Sequence, residues 1–306
     1  MKVRSYRSVL KTGIQLYASY FRRLVKASWI MVMLFALTCG AFSTLAVIRI
    51  PSLTTALLRQ QMQQETFLSD TVMQYLTTLG ILLLLLLASI VTITLAEATI
   101  LAKLKEHKET GNINIPPSWF KVSPKMMGRS LKGILCMLVV VLVPNLLVVA
   151  MLFAIRQVDD QPFGAHHDVL AVFMIITFLV ILLLLIPIYY VLMKYLMESP
   201  LGFWQALTRY YSQGMRHWGH LFLVLFCCVL FIQLVSFIIM MPAFILCAAN
   251  QTAQYGQLLG DPLGMPTYIT MLTYATLSFC AFLQFYVSMP LLVSVYYSYG
   301  SITSEK

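Results

Sequence analysis

The stretch PIYYVLMKYLMESPLGFWQALTRYYSQGMRHWGHL, Pro187 to Leu221, decides how the whole chain is read. It opens on a proline inside an apolar run, meets that run's first charge at Lys194, and breaks at Ser199-Pro200. Proline cannot donate to the helix ladder and restricts the residue before it, so a helix ends there. Next comes a segment dense in aromatic side chains and Arg, and Gly219 then opens another long apolar run. Aromatic and basic side chains with one dry and one wet end suit the membrane–water interface. The stretch therefore reads as span, interfacial helix, span.

The rest of the chain fits the same grammar. Of its 306 residues, 60% are hydrophobic and only 10% charged, and the mean hydropathy is +0.83. A soluble domain carries about 25% charged residues. The apolar residues fall in blocks long enough to cross a bilayer. Six spans are predicted, at about 29–48, 73–102, 131–155, 169–196, 221–249 and 268–299. The expected fold is an all-α polytopic bundle in a single membrane domain, 1–306. Residues 1–28 hold seven basic and no acidic side chains, with Leu10, Ile14, Tyr17, Phe21 and Leu24 at helical steps. They read as an uncleaved amphipathic helix on the membrane surface. Polar loops are expected over Arg59–Asp70, 103–118, 156–168 and 250–267.

The formal charge of +10 is distributed for a membrane surface and not for nucleic acid. Eighteen of the 21 Lys and Arg lie at the two termini and in the even-numbered connections, leaving Arg49, Arg59 and Arg156 elsewhere. Basic residues stay on the cytoplasmic side, so both termini are expected inside. Trp29, Trp119, Trp204 and Trp218 all fall on that side, with Arg22, Arg23, Arg129, Arg209 and Arg216 beside them. These nine are the expected lipid-interface residues, facing anionic lipid.

An internal repeat is also expected. RRLVKASWIMVML (22–34), GRSLKGILCMLVV (128–140) and GMRHWGHLFLVLF (214–226) each place a basic residue shortly before a small one, then an apolar run. Ala96, Pro187 and Pro290 each stand seven residues before Lys103, Lys194 and Tyr297. The units would be 1–110, 111–199 and 200–306, three hairpins each preceded by an interfacial helix.

This succession of aromatic and basic interfacial segments, spans and even-span prolines resembles two bacterial groups. One is the six-span membrane domain found with some glycerophosphodiester phosphodiesterases; the other is a related set of inner-membrane proteins. The resemblance implies a multi-pass protein of the bacterial cytoplasmic membrane. It implies no diesterase activity, because these residues contain no catalytic barrel with its His and acidic cluster. Mitochondrial carriers also repeat a hairpin three times, but their Pro-x-acidic-x-x-basic signature is missing after all three odd spans.

Candidate sites are few. Asp159, Asp160, His166, His167 and Asp168 share one loop and offer ligand types for a divalent metal; their spacing matches no metal site, and a solvated acidic loop is the plainer reading. Glu97 in LAEAT is a proton- or cation-site candidate near a span end, or a partner for a basic residue such as Lys103. Asn145, Gln233 and Gln284 are amides within spans. They read as bridges between helices, or as lining of a polar cavity loosened by Pro144, Pro187, Pro242 and Pro290. His217 and His220 read as headgroup-level side chains, and Gly219 as a packing point. Gly256, Gly260 and Gly264 read as turns, and Asn250-Gln-Thr252 matches a glycosylation acceptor by pattern alone. The six cysteines read as packing residues. There is no Walker A, HExxH, GxSxG or CxxC sequence and no paired-Asp lipid-transferase signature. The expected function is a non-enzymatic inner-membrane protein, membrane-organising or accessory, needing no cofactor. Its partners would be anionic lipid, a membrane protein or a second copy. The alternative is a transporter or channel for a small solute or lipid.

Overall fold

The computed structural model describes residues 5–62, 69–111, 113, 124–158, 167–198, 201–259 and 265–304, with side chains for all of these but 52–72, 124–125, 145, 147–171, 173–175, 257–258 and 267. Seven helices occupy them in the order α1 (Tyr6–Met62), α2 (Ser69–Thr110), α3 (Pro124–Val158), α4 (His167–Met197), α5 (Phe203–Arg216), α6 (Trp218–Leu258) and α7 (Thr267–Thr303). Six of them, all but α5, are long and apolar enough to cross a membrane. The chain is thus a multi-pass helical membrane protein. α1 has 57 residues, about 85 Å at 1.5 Å per residue, so it extends well beyond a hydrocarbon core of about 30 Å.

The helices run further than the sequence indicates. The N-terminal basic segment is not a separate surface helix; it is the first part of α1. No Gly or Pro stands between Tyr20 and Phe35 to interrupt the ladder. The supposed loop at Arg59 is still helical to Met62, the charged end of α2 to Thr110, and the segment after Asn250 to Leu258. Gly256 therefore lies in a helix and not in a turn; Gly260 and Gly264 lie outside the described residues. Among the described residues, the third of the expected interfacial segments forms a helix of its own, α5, set off where the chain carries Pro200 and Gly202.

α1 packs mainly on α7 and α2, and α6 on α7, with α3 and α4 completing the bundle. The core gathers near one end, around Val9, Leu24, Ile100, Leu104, Tyr190, Phe203, Tyr296 and Tyr299. α1 and α7 run antiparallel at very close range. A Cβ added to Gly40 would lie 2.0 Å from Ser278 Oγ and 2.9 Å from Ser278 Cα. One added to Gly13 would lie 2.9 Å from Ser294 Oγ. Small residues let membrane helices approach where no hydrophobic effect drives them together. Gly40→Ala should cost about 1–2 kcal/mol, the overpacking penalty less the helix-propensity gain. Ser278→Gly, which frees the opposing Cβ and hydroxyl, should recover part of it in a detergent-unfolding series.

The prolines explain how the other helices are held. A proline in a helix leaves the carbonyl four residues back without its donor, and the accompanying kink loosens the neighbouring rung. In a membrane such a carbonyl must find a donor from another helix. Four of the five helix prolines show how. Behind Pro187, Trp218 Nε1 donates to Leu183 O at 3.0 Å and Tyr211 Oη to Leu184 O at 2.8 Å. Behind Pro290, Tyr17 Oη donates to Tyr286 O at 2.9 Å. Behind Pro242, Cys280 Sγ donates to Ile239 O at 3.2 Å, and behind Pro51, Gln254 Nε2 donates to Ile48 O at 3.1 Å. Each proline is thereby a docking point for a second helix. Gly214 completes the one at Pro187: a Cβ there would meet Pro187 Cβ at 2.9 Å and Pro187 O at 3.2 Å. Gly219 has open space around it, so the packing glycine of this stretch is Gly214.

Candidate functional site

The end of the bundle that holds α5 also holds the early part of α1 and the C-terminal turns of α2, α4 and α7. Its centre is Lys194 on α4, which is only 4% exposed. An ammonium buried there needs compensation. Its Nζ sits 3.9 Å from the ring centroid of Tyr210 on α5 and 5.8 Å from that of Tyr190, and 3.8 Å from Glu198 Oε1 one turn on. Tyr299 of α7 donates to the same Glu198 oxygen at 2.7 Å and accepts from Lys108 Nζ of α2 at 3.1 Å. Cation–π attraction strengthens once water is excluded, so the aromatic faces share the charge with the Glu198 carboxylate. α3 joins through Arg129, which donates to the carbonyl oxygens of Tyr195, Glu198 and Leu201. The end of α4 is thus tied to α2, α3, α5 and α7.

α5 carries three distinct faces. Phe203, Ala206 and Gly214 are buried against the bundle. Trp204, Thr208, Tyr211 and Met215 share a second face by their three- and four-residue spacing; Trp204 is 55% and Met215 39% exposed. Burial pushes the Tyr211 hydroxyl above its ordinary pKa, which keeps it the donor to Leu184. Gln205, Arg209, Ser212 and Arg216 form the third face, opposite the buried one. Between that face and the end of α7, an open cavity of about 860 Å³ is lined by Arg209, Tyr210, Ser212, Gln213, Met215, Arg216, His217 and Ile302 of α7. Among the described residues no acidic side chain lines it. Among the described residues neither Arg209 nor Arg216 pairs with a carboxylate. Guanidinium forks of this kind match phosphate oxygens.

The remaining candidates separate. Arg22 is exposed, whereas Arg23 donates to Ile113 O at 2.8 Å. Trp29 is partly exposed on α1. Glu97 is half-buried, within electrostatic reach of Tyr189, and Lys103 pairs with Glu106 at 2.7 Å. Gln284 bridges helices, donating to Ser236 Oγ at 2.6 Å. Gln233 sits on the outer side of α6, exposed, so the two amides do not converge. Gln284→Leu should cost about 0.6–1 kcal/mol and Gln233→Leu nothing, measured by unfolding in detergent. Asn250 is buried and donates to Thr273 Oγ1 at 3.3 Å, which leaves no amide for a glycan. Among the described residues no three His, Cys, Asp or Glu side chains cluster. Asp159, Asp160, His166 and Trp119 lie outside the described residues, as do the side chains of Asn145, His167 and Asp168.

The sequence reading missed Lys108, Glu198, Tyr210 and Tyr299. A signal existed in the YYxxxK run of 189–194, but the partners lie on other helices. No family model, curated protein or solved structure matches the chain.

Proposed function

We propose that this is a non-enzymatic protein of the bacterial inner membrane, with both termini in the cytoplasm, that engages anionic lipid through its basic end. It would serve there as a membrane-organising or accessory subunit. One observation carries the reading: among the described residues Arg209 and Arg216 have no carboxylate partner, and they stand beside an open cavity on the helix whose next face bears Trp204 and Met215. The sequence distribution, with eighteen of the 21 Lys and Arg at the termini and in the even-numbered connections, agrees with it. The network at Lys194 reads as a latch, because its carboxylate is already bonded to Tyr299 and Lys194. Transport has less support. Prolines could have loosened backbone around a cavity, but the carbonyls behind four of them accept bonds from other helices.

The test is lipid retention and flux on one preparation. Protein purified in mild detergent should be enriched in anionic over zwitterionic phospholipid relative to the source membrane. Reconstituted in liposomes it should pass neither ions nor lipid. Retained lipid matching the bulk membrane would overturn the reading. So would a flux that Glu97→Gln or Asn145→Leu abolishes, which would make the protein a transporter.

A further inference from the structure

We propose that the cavity between α5 and the end of α7 binds an anionic lipid headgroup bearing two phosphodiester groups, as in diphosphatidylglycerol. The inference rests on the reading above and sharpens it from a charged surface to a site. Arg209 and Arg216 are seven residues apart, about 10.5 Å along the helix and on nearly the same face. Two guanidiniums rooted two turns apart favour two anionic groups over one. Ser212 and Gln213 lie between them and line the same cavity, offering hydroxyl and amide hydrogen bonds to a linker between the phosphates. The volume, about 860 Å³, is that of a pocket for a sizeable ligand, since such sites span roughly 300–1,000 Å³; one phosphate would leave most of it to water. Met215 and Ile302 add apolar lining against which glycerol carbons can rest, and exposed Trp204 marks the direction of the acyl chains. The frame is rigid. Tyr210, in the lining, is held by Lys194 at 3.9 Å, and Gly214 seats the helix on Pro187. Basic pockets beside membrane helices on the cytoplasmic side bind headgroups of this class.

The test titrates the delipidated full chain with phosphatidylcholine, phosphatidylglycerol and diphosphatidylglycerol at equal total phosphate, following bound lipid by native mass spectrometry. Wild type should prefer the two-phosphate lipid. R209Q and R216Q should each weaken it about fivefold, and the double variant about thirtyfold, to the level of the one-phosphate lipid. R22Q, an exposed arginine on another helix, should weaken both anionic lipids alike and leave the preference intact. Equal binding of the two anionic lipids, or a preference that survives R209Q/R216Q, overturns the site while leaving the general reading standing. Equal binding of anionic and zwitterionic lipid overturns that reading itself. Inorganic pyrophosphate, added as competitor, should displace the lipid only weakly. Displacement at equal concentration would assign the cavity to a soluble bisphosphate and overturn the lipid proposal.

Discussion

Replacing Trp218 and Tyr211 together by Phe should destabilise the protein by about 2–4 kcal/mol, because two carbonyls lose donors worth about 1–2 kcal/mol each. A phenyl ring at 218 keeps the stack on Phe222, whose ring lies 5.0 Å away and nearly parallel. The carbonyls in question, of Leu183 and Leu184, are the ones Pro187 leaves short. Pro187→Ala supplies a backbone N–H for Leu183 O and retains the Cβ against which Gly214 packs. In that background the double Phe substitution should cost about half as much or less, a coupling a double-mutant cycle measures directly. The check is an unfolding series in detergent with amide exchange over α5. Equal costs in both backgrounds would mean that the ring packing, not the hydrogen bonds to proline-freed carbonyls, holds α5 in place.

This pairing also marks how far the sequence can be read. The six spans follow from apolar run length alone, and their prolines and the basic, aromatic interfacial segments are visible by inspection. Which residue answers each proline is not. Tyr17 reaches Tyr286 across 269 positions and Gln254 reaches Ile48 across 206; a chain with 16 tyrosines offers no pattern that singles one out. The same limit applies to glycine. Gly219 looked like the packing residue because an apolar run begins there, but closeness is set by the neighbouring helix, and it is Gly214 that faces Pro187. Arg209, Arg216 and Trp204 were legible as exposed residues because exposure follows from α5's own periodicity. Lys194 was legible as a charge near a span's end. Its burial, and the link from Lys108 through Tyr299 to Glu198, depend on three helices meeting, which no single segment encodes. The basic start of α1 misled for a local reason. Amphipathic periodicity says which face is apolar and nothing about whether the helix continues, and only a breaker such as Pro200 decides that.

Arg129→Ala should cost about 3 kcal/mol, since one guanidinium serves three backbone carbonyls by charge-assisted bonds. Its Nε lies 2.8 Å from Tyr195 O and its Nη2 3.0 Å from Leu201 O, with the Tyr195 ring 4.5 Å beneath it. The last carbonyls of a helix are left unpaired by the helix itself, and a cation there also meets the negative end of its dipole. Lys should restore less than half of the loss, because an ammonium cannot span the carbonyls of Tyr195, Glu198 and Leu201 from one position. The consequence reaches the cavity through the chain. Glu198 and Leu201 lie in sequence between α4 and α5, so releasing them loosens both the Glu198–Tyr299 bond and the seating of α5. Arg129→Ala should therefore raise amide exchange over 203–216 and weaken two-phosphate lipid binding, although Arg129 does not line the cavity. Arg209→Gln should weaken binding with exchange and stability unchanged. If Arg129→Ala lowers stability but leaves α5 exchange at the wild-type rate, the clamp secures only the end of α4, and the seating of α5 rests on the contacts at Pro187 alone.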